Sequence, residues 1–429
     1  MSQDGDHMPC IEKLEALEIL DSRGRPTVAA TCTLRGGARA SASVPSGAST
    51  GKAEALELRD GDPRRYGGLG CRRAVAHVNH ELNGALAGGD FRGQDDLDAA
   101  MLQLDGTPNK SRLGANAILA VSLAFARAAA DQRDVPLFRH FADLLGHPTE
   151  FLPRLTVNLF SGGTHAGGQV PIQDVLVVPV WAASIDESLA TVYAIYQAAA
   201  DLTRRKYGCR PLVADEGGLA PPFENAEAML ADAVDAIRAA GFEPRREVAL
   251  AVDVASSHFY QDERYHLGDE PLTSRQMIDR VRQWVEMYPI LSVEDGLAED
   301  DWENWPALRG ALAGRALTLG DDLLCTNPRR IARAARSSSA DALLLKVNQI
   351  GTLSEAADAC RLARSHGWAV TVSARSGETE DDWLADLAVG WGAEFIKVGS
   401  ITRSERLAKY NRLLAIEAET GLPLGPLRR

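Results

Sequence analysis

Short apolar runs recur along the second part of the chain, and each run ends at or beside a charged residue. The runs and their charged ends are ALAVDV with Asp253, PILSVED with Glu294, ALTLGDD with Asp321, ALLLKVN with Lys346, AVTVSARS with Arg375 and EFIKVG with Lys397. The segments between them have room for a loop, a helix and a return, which is the spacing of strands that alternate with helices. This alternation predicts a parallel sheet.

Repetition over so much of the chain favours closure of that sheet into a β/α barrel, where chemistry takes place at the carboxyl ends of the strands. A doubly wound open sheet is the competing fold. It lacks its usual support, because no G-x-G-x-x-G segment follows an early strand. Under either fold the protein belongs to the α/β class.

The first part of the chain has a different pattern. Strand-like segments at Thr27–Leu34 and Ala40–Val44 precede a helical stretch at Asn116–Gln132. Strands followed by helices predict an α+β module. We therefore expect an N-terminal α+β domain over residues 1–149 and a catalytic barrel over residues 150–429.

Charge and cysteine usage narrow the class of partner and the compartment. The formal net charge of −13 disfavours a general affinity for nucleic acid or an anionic membrane, but it allows an anionic substrate where metal ions reverse the local charge. The 6 cysteines are scattered without a C-x-x-C pair, so we expect neither a disulfide framework nor a zinc site. The first residues, MSQDGDHMPC, lack the pattern of a signal peptide. A cytoplasmic protein is expected.

Three carboxylates, Asp253, Glu294 and Asp321, end three successive apolar runs. In a barrel these side chains converge at one mouth. Oxygen ligands without nearby cysteine or histidine suit Mg²⁺ better than zinc. For any single acid, the capping of a following helix is an equal alternative. The run of three, followed by two strand-end lysines, favours the metal.

Lys346 and Lys397 end two further runs. A lysine in this position is usually a solvated surface residue. Beside divalent cations, however, its ammonium form is disfavoured, so that a neutral lysine can act as a base. Two such lysines could divide the work, one removing a proton and the other holding a carboxylate.

Glycine-flanked polar segments supply further candidates. The segment 46–52, SGASTGK, follows a strand and could cradle an anion through its backbone N–H groups. The segments 161–168 and 214–218 place His165 and Glu216 in loops. For each segment taken alone, an ordinary turn is the alternative.

Together these segments resemble the enolase family, and the resemblance runs over nearly the whole chain. The matching motifs, in family order, are DSRGRPTV, VPSGAST, DGTPNKSRLGANAILAVSLA, GGTHAGG, DEGG, VEDGLAEDDW, DDLLCTNPRRIA, ALLLKVNQIGTLSEA, SARSGETEDDW and RSERLAKYN. Other members of the wider superfamily share the barrel acids but not the SGAST and HAGG loops. The resemblance implies an enolase-type barrel and a lyase that dehydrates a 2-phosphoglycerate-like acid with the help of Mg²⁺.

The resemblance also implies a role for each matched residue. Asp253, Glu294 and Asp321 would hold one Mg²⁺, and Ser49 would be a ligand of a second. Lys346 would remove the C2 proton, and Glu216 would protonate the departing C3 hydroxyl. The residues that would contact the substrate are His165, Arg375 and Ser376 at the phosphoryl end and Lys397 at the carboxylate.

The chain departs from the family pattern within this pocket. Asp174 stands where the family has a glutamate that partners the general acid, so its carboxylate is expected further back or bridged by water. Ala374 replaces a pocket histidine beside Arg375. In addition, Gly296 stands where the family has proline, and His258 stands where a glutamate is usual.

Retained lysines and metal ligands around an altered pocket favour an altered substrate. The interpretation we favour from sequence is dehydration of a phosphorus-carboxylated glycerate, as in the carboxyphosphonoenolpyruvate synthases of phosphonate biosynthesis. The alternative is an ordinary glycolytic enolase that converts 2-phosphoglycerate into phosphoenolpyruvate. A third hypothesis, a non-catalytic binding or structural paralogue, conflicts with the intact ligand set.

The family resemblance further implies a homodimer built through the N-terminal sheet and the RSER helix. Ala29 and Ala415 occupy positions where the family commonly pairs a glutamate with an arginine across the interface. Because both partners are replaced, no orphan charge remains, and a dimer is still expected.

Overall fold

The computed structural model describes residues 8–48, 50–268 and 271–427. Ser49, the expected ligand of a second Mg²⁺, lies outside these ranges. The strands are β1 Ile11–Leu20, β2 Pro26–Leu34, β3 Arg39–Ser43, β4 Arg154–Ser161, β5 Asp174–Pro179, β6 Val248–Asp253, β7 Tyr260–Gln261, β8 Arg264–Tyr265, β9 Ile290–Glu294, β10 Leu317–Gly320, β11 Ala342–Leu345, β12 Ala369–Ser373 and β13 Phe395–Gly399.

Helices follow most of the barrel strands. The α-helices are α1 Arg72–Ala76, α2 Asn83–Leu86, α3 Gln94–Asp105, α4 Ala115–Gln132, α5 Leu137–Leu145, α6 Ile185–Tyr207, α7 Ala226–Ala239, α8 Ser274–Met287, α9 Trp305–Leu312, α10 Pro328–Ser337, α11 Val347–Ile350, α12 Leu353–Ser365, α13 Trp383–Gly390 and α14 Ser404–Thr420. Among the described residues, no helix combines the length and apolar character needed to cross a membrane.

The N-terminal domain is a small antiparallel sheet with helices packed against it. β1 pairs with β2, and β2 pairs with β3. The predicted strands and the long helix are confirmed, while β1 was not anticipated. Almost every residue of α4 is buried, because this alanine-rich helix lies beneath β2 and β3 and also contacts the barrel helices α11 and α12.

The second domain is a closed barrel of eight strands in the order β10–β11–β12–β13–β4–β5–β6–β9. The barrel prediction is therefore confirmed, but the prediction of a wholly parallel sheet is wrong. β5 runs antiparallel to both β4 and β6. The reason is the connection from β4 to β5, a glycine-rich loop without a crossover helix, which can join only antiparallel neighbours.

Side chains fill the barrel interior. The inward-facing residues form a separate apolar cluster that includes Leu176, Val178, Leu291, Leu344 and Phe395. A ligand therefore has to bind at a mouth of the barrel. Because β5 runs in the opposite direction to its neighbours, the first residue of β5, Asp174, lies at that mouth, beside the last residues of the parallel strands.

Candidate active site

The predicted metal ligands meet at the carboxyl ends of three neighbouring strands. Asp253 is the last residue of β6 and Glu294 the last of β9, and the two pair in register across the sheet. Asp321 directly follows β10, the next strand around the barrel. All three acids are buried. The barrel thus brings together the three acids that the sequence pattern singled out.

Lys397, from β13, crosses the mouth to two of these acids. Its Nζ lies 2.8 Å from Asp253 Oδ2 and 2.7 Å from Glu294 Oε2. Burial works against the charged ammonium, but the two carboxylates outweigh burial and raise the pKa of Lys397 well above its usual value. Lys397 is therefore a fixed positive charge at the base of the site.

Lys346 follows β11 and forms an ion pair with Asp321 Oδ2. The other carboxylate oxygen of Asp321 accepts a hydrogen bond of 2.8 Å from Gln349 Nε2. Burial disfavours the charge on Lys346, but Asp321 outweighs it and raises the pKa of the lysine. While this pair is intact, Lys346 holds its proton and cannot act as a base.

The acids at this mouth fit a hard divalent cation. Glu294 Oε1 is buried and has no hydrogen-bond partner among the described residues. Burial raises the pKa of Glu294 well above its usual value, and the charge of Asp253 adds to that effect. A buried carboxylate with an unpartnered oxygen beside two further acids is the donor set that Mg²⁺ prefers. The residues that would hold it are Asp253, Glu294 and Asp321.

A second acidic group lies beside the first. Carboxylate oxygens of Asp295, Asp321 and Asp322 lie within 4.8 Å of one another. Asp295 accepts the backbone N–H groups of Asp321 at 3.0 Å and Asp322 at 2.7 Å. Because both oxygens of Asp295 are used in this way, it orients the turn that carries Asp321.

The antiparallel direction of β5 brings Asp174 into the site. Asp174 Oδ1 accepts hydrogen bonds from Asn158 Nδ2 at 2.6 Å and Ser161 Oγ at 2.8 Å. Its Oδ2 lies 3.6 Å from His165 Nδ1, which is beyond a normal hydrogen bond. This distance concerns His165, so the expected separation of Asp174 from the general acid, Glu216, stays a prediction.

His165 and Asp174 nevertheless influence each other's protonation. Burial lowers the pKa of His165, but the neighbouring Asp174 carboxylate outweighs it and raises the pKa to about 9. Burial raises the pKa of Asp174, and the charge of His165 opposes that change. His165 is therefore a cation at neutral pH, in keeping with a role as an anion contact.

Glu216 is buried in the loop that follows α6. Burial favours its neutral form, but Arg406 and His165 outweigh burial and hold the pKa of Glu216 below its usual value. Glu216 is consequently ionised before substrate binds. A substrate with several negative charges nearby would raise its pKa, which a general acid requires.

The remaining predicted residues line one small cavity at the mouth of the barrel. Its walls include Ala48, His165, Gln173, Glu216, Asp321, Asp322, Lys346, Ser373, Ala374, Arg375, Ser376 and Lys397. The candidate base, the candidate acid and the expected phosphoryl contacts thus face the same space. Ala374 lies in this wall, so its small side chain leaves room inside the cavity.

Four functional neighbours were missed from sequence. Gln173 donates a hydrogen bond to Asp253 at 2.8 Å, and Gln349 donates one to Asp321. The charge of Arg406 lowers the pKa of Glu216. Glu54 forms an ion pair with Arg375. Gln173 and Gln349 carried a usable signal, because Gln173 directly precedes Asp174 and Gln349 lies three residues after Lys346. Glu54 and Arg406 carried none, since their partners come from distant parts of the chain.

Comparison with known proteins covers both domains. A family model described as "Enolase, N-terminal domain" matches residues 11–141, and one described as "Enolase, C-terminal TIM barrel domain" matches residues 149–423. A curated relative named "Enolase", from Acidothermus cellulolyticus, is 48% identical over 413 residues, which are 96% of this chain and 95% of the relative.

Proposed function

Because the chain belongs to the enolase family, as its two matching domains and its curated relative show, we propose that this carbon–oxygen hydro-lyase removes water from 2-phosphoglycerate to form phosphoenolpyruvate. The observation that carries the proposal is the placement of Lys346 and Glu216 in the walls of one cavity. A base and an acid on one small anion-binding space are what this elimination requires.

The comparison favours the ordinary substrate over the phosphorus-carboxylated glycerate expected from sequence. The charges of the side chains in the pocket also support 2-phosphoglycerate as the substrate. An additional carboxylate needs an additional cation or donor. Ala374 has no polar side-chain atom and Asp174 keeps the negative charge of the family glutamate, so neither residue supplies one. His165, Arg375 and Ser376 all line the cavity and can serve an ordinary phosphoryl group.

Enzymes of the enolase superfamily use a lysine or histidine base together with one or two Mg²⁺ ions. We assign the first ion to Asp253, Glu294 and Asp321 and the second to a site that includes Ser49. When bound, the cations supply stabilisation of the negative charge that forms on the substrate carboxylate.

Each of several residues of the protein then has one role in the elimination. Lys346 Nζ accepts the C2 proton once Asp321 no longer holds the lysine in its charged form. Lys397, with its raised pKa, stays charged and pairs with the substrate carboxylate. Glu216 gives a proton to the C3 hydroxyl, which leaves poorly as hydroxide. Arg375, Ser376 and His165 hold the phosphoryl end.

The experiment that tests the proposal is turnover by the purified chain. In Mg²⁺ buffer, wild type should convert 2-phosphoglycerate into a product with the ultraviolet absorbance of an enol ester. Lys346→Ala should reduce this signal to background, and substitution of the surface lysine Lys13 should not. Absence of product with wild type, or full activity in Lys346→Ala, would contradict the proposal.

The dimer and the cytoplasmic location stay predictions. Exposed apolar side chains on β1, among them Leu17, support a self-association surface on the N-terminal sheet. Light scattering that gives the mass of two chains would support the dimer, and a monomeric mass at micromolar concentration would contradict it.

A further inference from the structure

Arg375 is held by a carboxylate from the other domain. Its Nη1 lies 3.0 Å from Glu54 Oε2 and its Nη2 lies 3.2 Å from Glu54 Oε1. The two side chains are 4% and 6% exposed, respectively. A buried two-point pair fixes the plane of a guanidinium in a way that a single contact cannot.

Glu54 reaches Arg375 because of the segment that carries it. Gly51 N–H donates to Glu54 Oε1 at 3.0 Å, and Glu54 N–H donates back to the Gly51 carbonyl at 3.1 Å. This turn fixes the direction of the Glu54 side chain. A larger residue at position 51 would not fit, since a Cβ there would lie 2.6 Å from Cys325 Sγ.

Residues on either side of this turn are docked on the barrel. Ser46 exchanges two backbone hydrogen bonds with Gly377, at 2.8 and 3.0 Å. Ala55 N–H donates to the Gln349 carbonyl at 2.8 Å. Glu54 is therefore carried to Arg375 by the docking of Ser46 on the loop after β12 and of residues 50–55 on α11, and not by a local contact within the barrel.

We propose that Glu54 is a positioning residue for Arg375: docking of residues 50–55 on the barrel sets the guanidinium in the orientation that receives the phosphoryl group. The inference rests on the proposed function, because it takes Arg375 as a phosphoryl contact. It adds Glu54 to the residues of the N-terminal domain that serve the site, besides Ala48 in the cavity wall. The ligand class concerned is a phosphate monoester, or free phosphate at the same subsite.

The geometry distinguishes this role from a role in stability alone. Glu54 touches the barrel through the arginine that lines the cavity, and Asn348 Oδ1 accepts from the same Nη1 at 3.0 Å. Two acceptors on one side of the guanidinium restrict its rotation. Loss of one of them should change how the arginine meets an anion even where the fold persists.

The experiment measures inorganic phosphate binding by calorimetry, with Mg²⁺ present, together with KM and kcat for 2-phosphoglycerate. The two variants are Glu54→Gln, which keeps shape but removes charge, and Glu54→Asp, which keeps charge but cannot reach as far. We expect both to weaken phosphate binding about 10-fold or more, with KM rising and Mg²⁺ affinity unchanged.

Asp386→Asn is the matched control, because Asp386 makes a similar two-point pair with Arg412, at 2.6 and 2.8 Å, outside the site. It should lower thermal stability without altering phosphate affinity. Unchanged phosphate affinity in both Glu54 variants would overturn the proposal, and so would tighter binding, which would make Glu54 a competitor of phosphate. Failure of the proposed function is a separate result: wild type would bind phosphate yet not turn over 2-phosphoglycerate.

Discussion

Lys397 Nζ lies 2.7 Å from Glu294 Oε2, while Oε1 of the same carboxylate has no hydrogen-bond partner among the described residues. The lysine alone therefore does not satisfy the buried acid. Burial and the nearby Asp253 raise the pKa of Glu294 well above its usual value. A divalent cation would satisfy the remaining oxygen and favour the ionised form.

The oxygen of Glu294 that is unpartnered among the described residues predicts that Mg²⁺ binding stabilises the folded protein. Adding Mg²⁺ at about 100 times its dissociation constant should raise the free energy of unfolding of wild type by about 2.7 kcal/mol. Glu294→Gln should lose most of that gain, because it removes one ligand charge. The measurement is denaturant unfolding with EDTA and with Mg²⁺.

Asp232→Asn is the control for that comparison, since Asp232 is a buried acid paired with Lys206 on the outer helices. Its gain from Mg²⁺ should equal that of wild type. An equal gain in Glu294→Gln would remove Glu294 from the ligand set.

The assignment of base and acid predicts a split between proton exchange and dehydration. Lys346→Ala should stop exchange of the C2 proton with solvent deuterium and also stop dehydration, because both need the base. Glu216→Gln should block dehydration but permit exchange, because its amide cannot protonate the leaving hydroxyl. Proton NMR of the substrate in D₂O measures both. If exchange persists in Lys346→Ala, a group other than Lys346 removes the C2 proton.

The pair of His165 and Asp174 predicts a pH-dependent contribution to stability. The pKa of His165 is raised from 6.5 to about 9 in the folded protein. The contribution of His165 to the free energy of unfolding is therefore fully present below pH 6.5 and is lost as the pH rises through 9. At its maximum it should amount to about 3 kcal/mol.

The measurement is the difference in unfolding free energy between wild type and His165→Gln, in EDTA, from pH 6 to 10. It should shrink as the pH rises. His366→Gln, at an exposed position, is the control and should show no such trend. A His165 difference that stays constant with pH would contradict the pairing.

Ala374 predicts a gain of function by substitution. Ala374→His should place an imidazole in the cavity wall beside Arg375 and add a hydrogen bond to the phosphorylated substrate. A hydrogen bond to a charged group contributes about 1.5 kcal/mol or more, so kcat/KM for 2-phosphoglycerate should rise about 10-fold. Asp174→Glu, alone and combined with Ala374→His, tests whether the longer carboxylate closes the 3.6 Å gap to His165. A fall in kcat/KM with Ala374→His would mean that the cavity has no room for the ring.

Much of the barrel could be predicted from sequence, because apolar runs that end in charge mark both a strand and the mouth it reaches. Asp253 and Glu294 end their strands, and Asp321 and Lys346 directly follow theirs, as predicted. Lys397 lies inside β13 and not at its end. β5 was missed as an antiparallel strand, although the loop before it is rich in glycine and lacks helical periodicity. That signal favours a hairpin over a crossover.

Contacts between distant segments could not be predicted in the same way. Glu54 lies in a loop of the N-terminal domain, and nothing in its neighbourhood indicates that its side chain reaches Arg375. For the substrate, the comparison favours ordinary 2-phosphoglycerate, which the sequence left as the alternative. Ala374 and Asp174 favour a larger substrate when the sequence is considered alone, but neither side chain adds a cation that an additional carboxylate could use.

The most direct test of the account is kcat/KM of the native chain for 2-phosphoglycerate and for its phosphorus-carboxylated analogue, measured side by side in Mg²⁺ buffer. We expect ready turnover of 2-phosphoglycerate and a much lower kcat/KM for the analogue. A higher kcat/KM for the analogue, or no turnover of 2-phosphoglycerate, would contradict it.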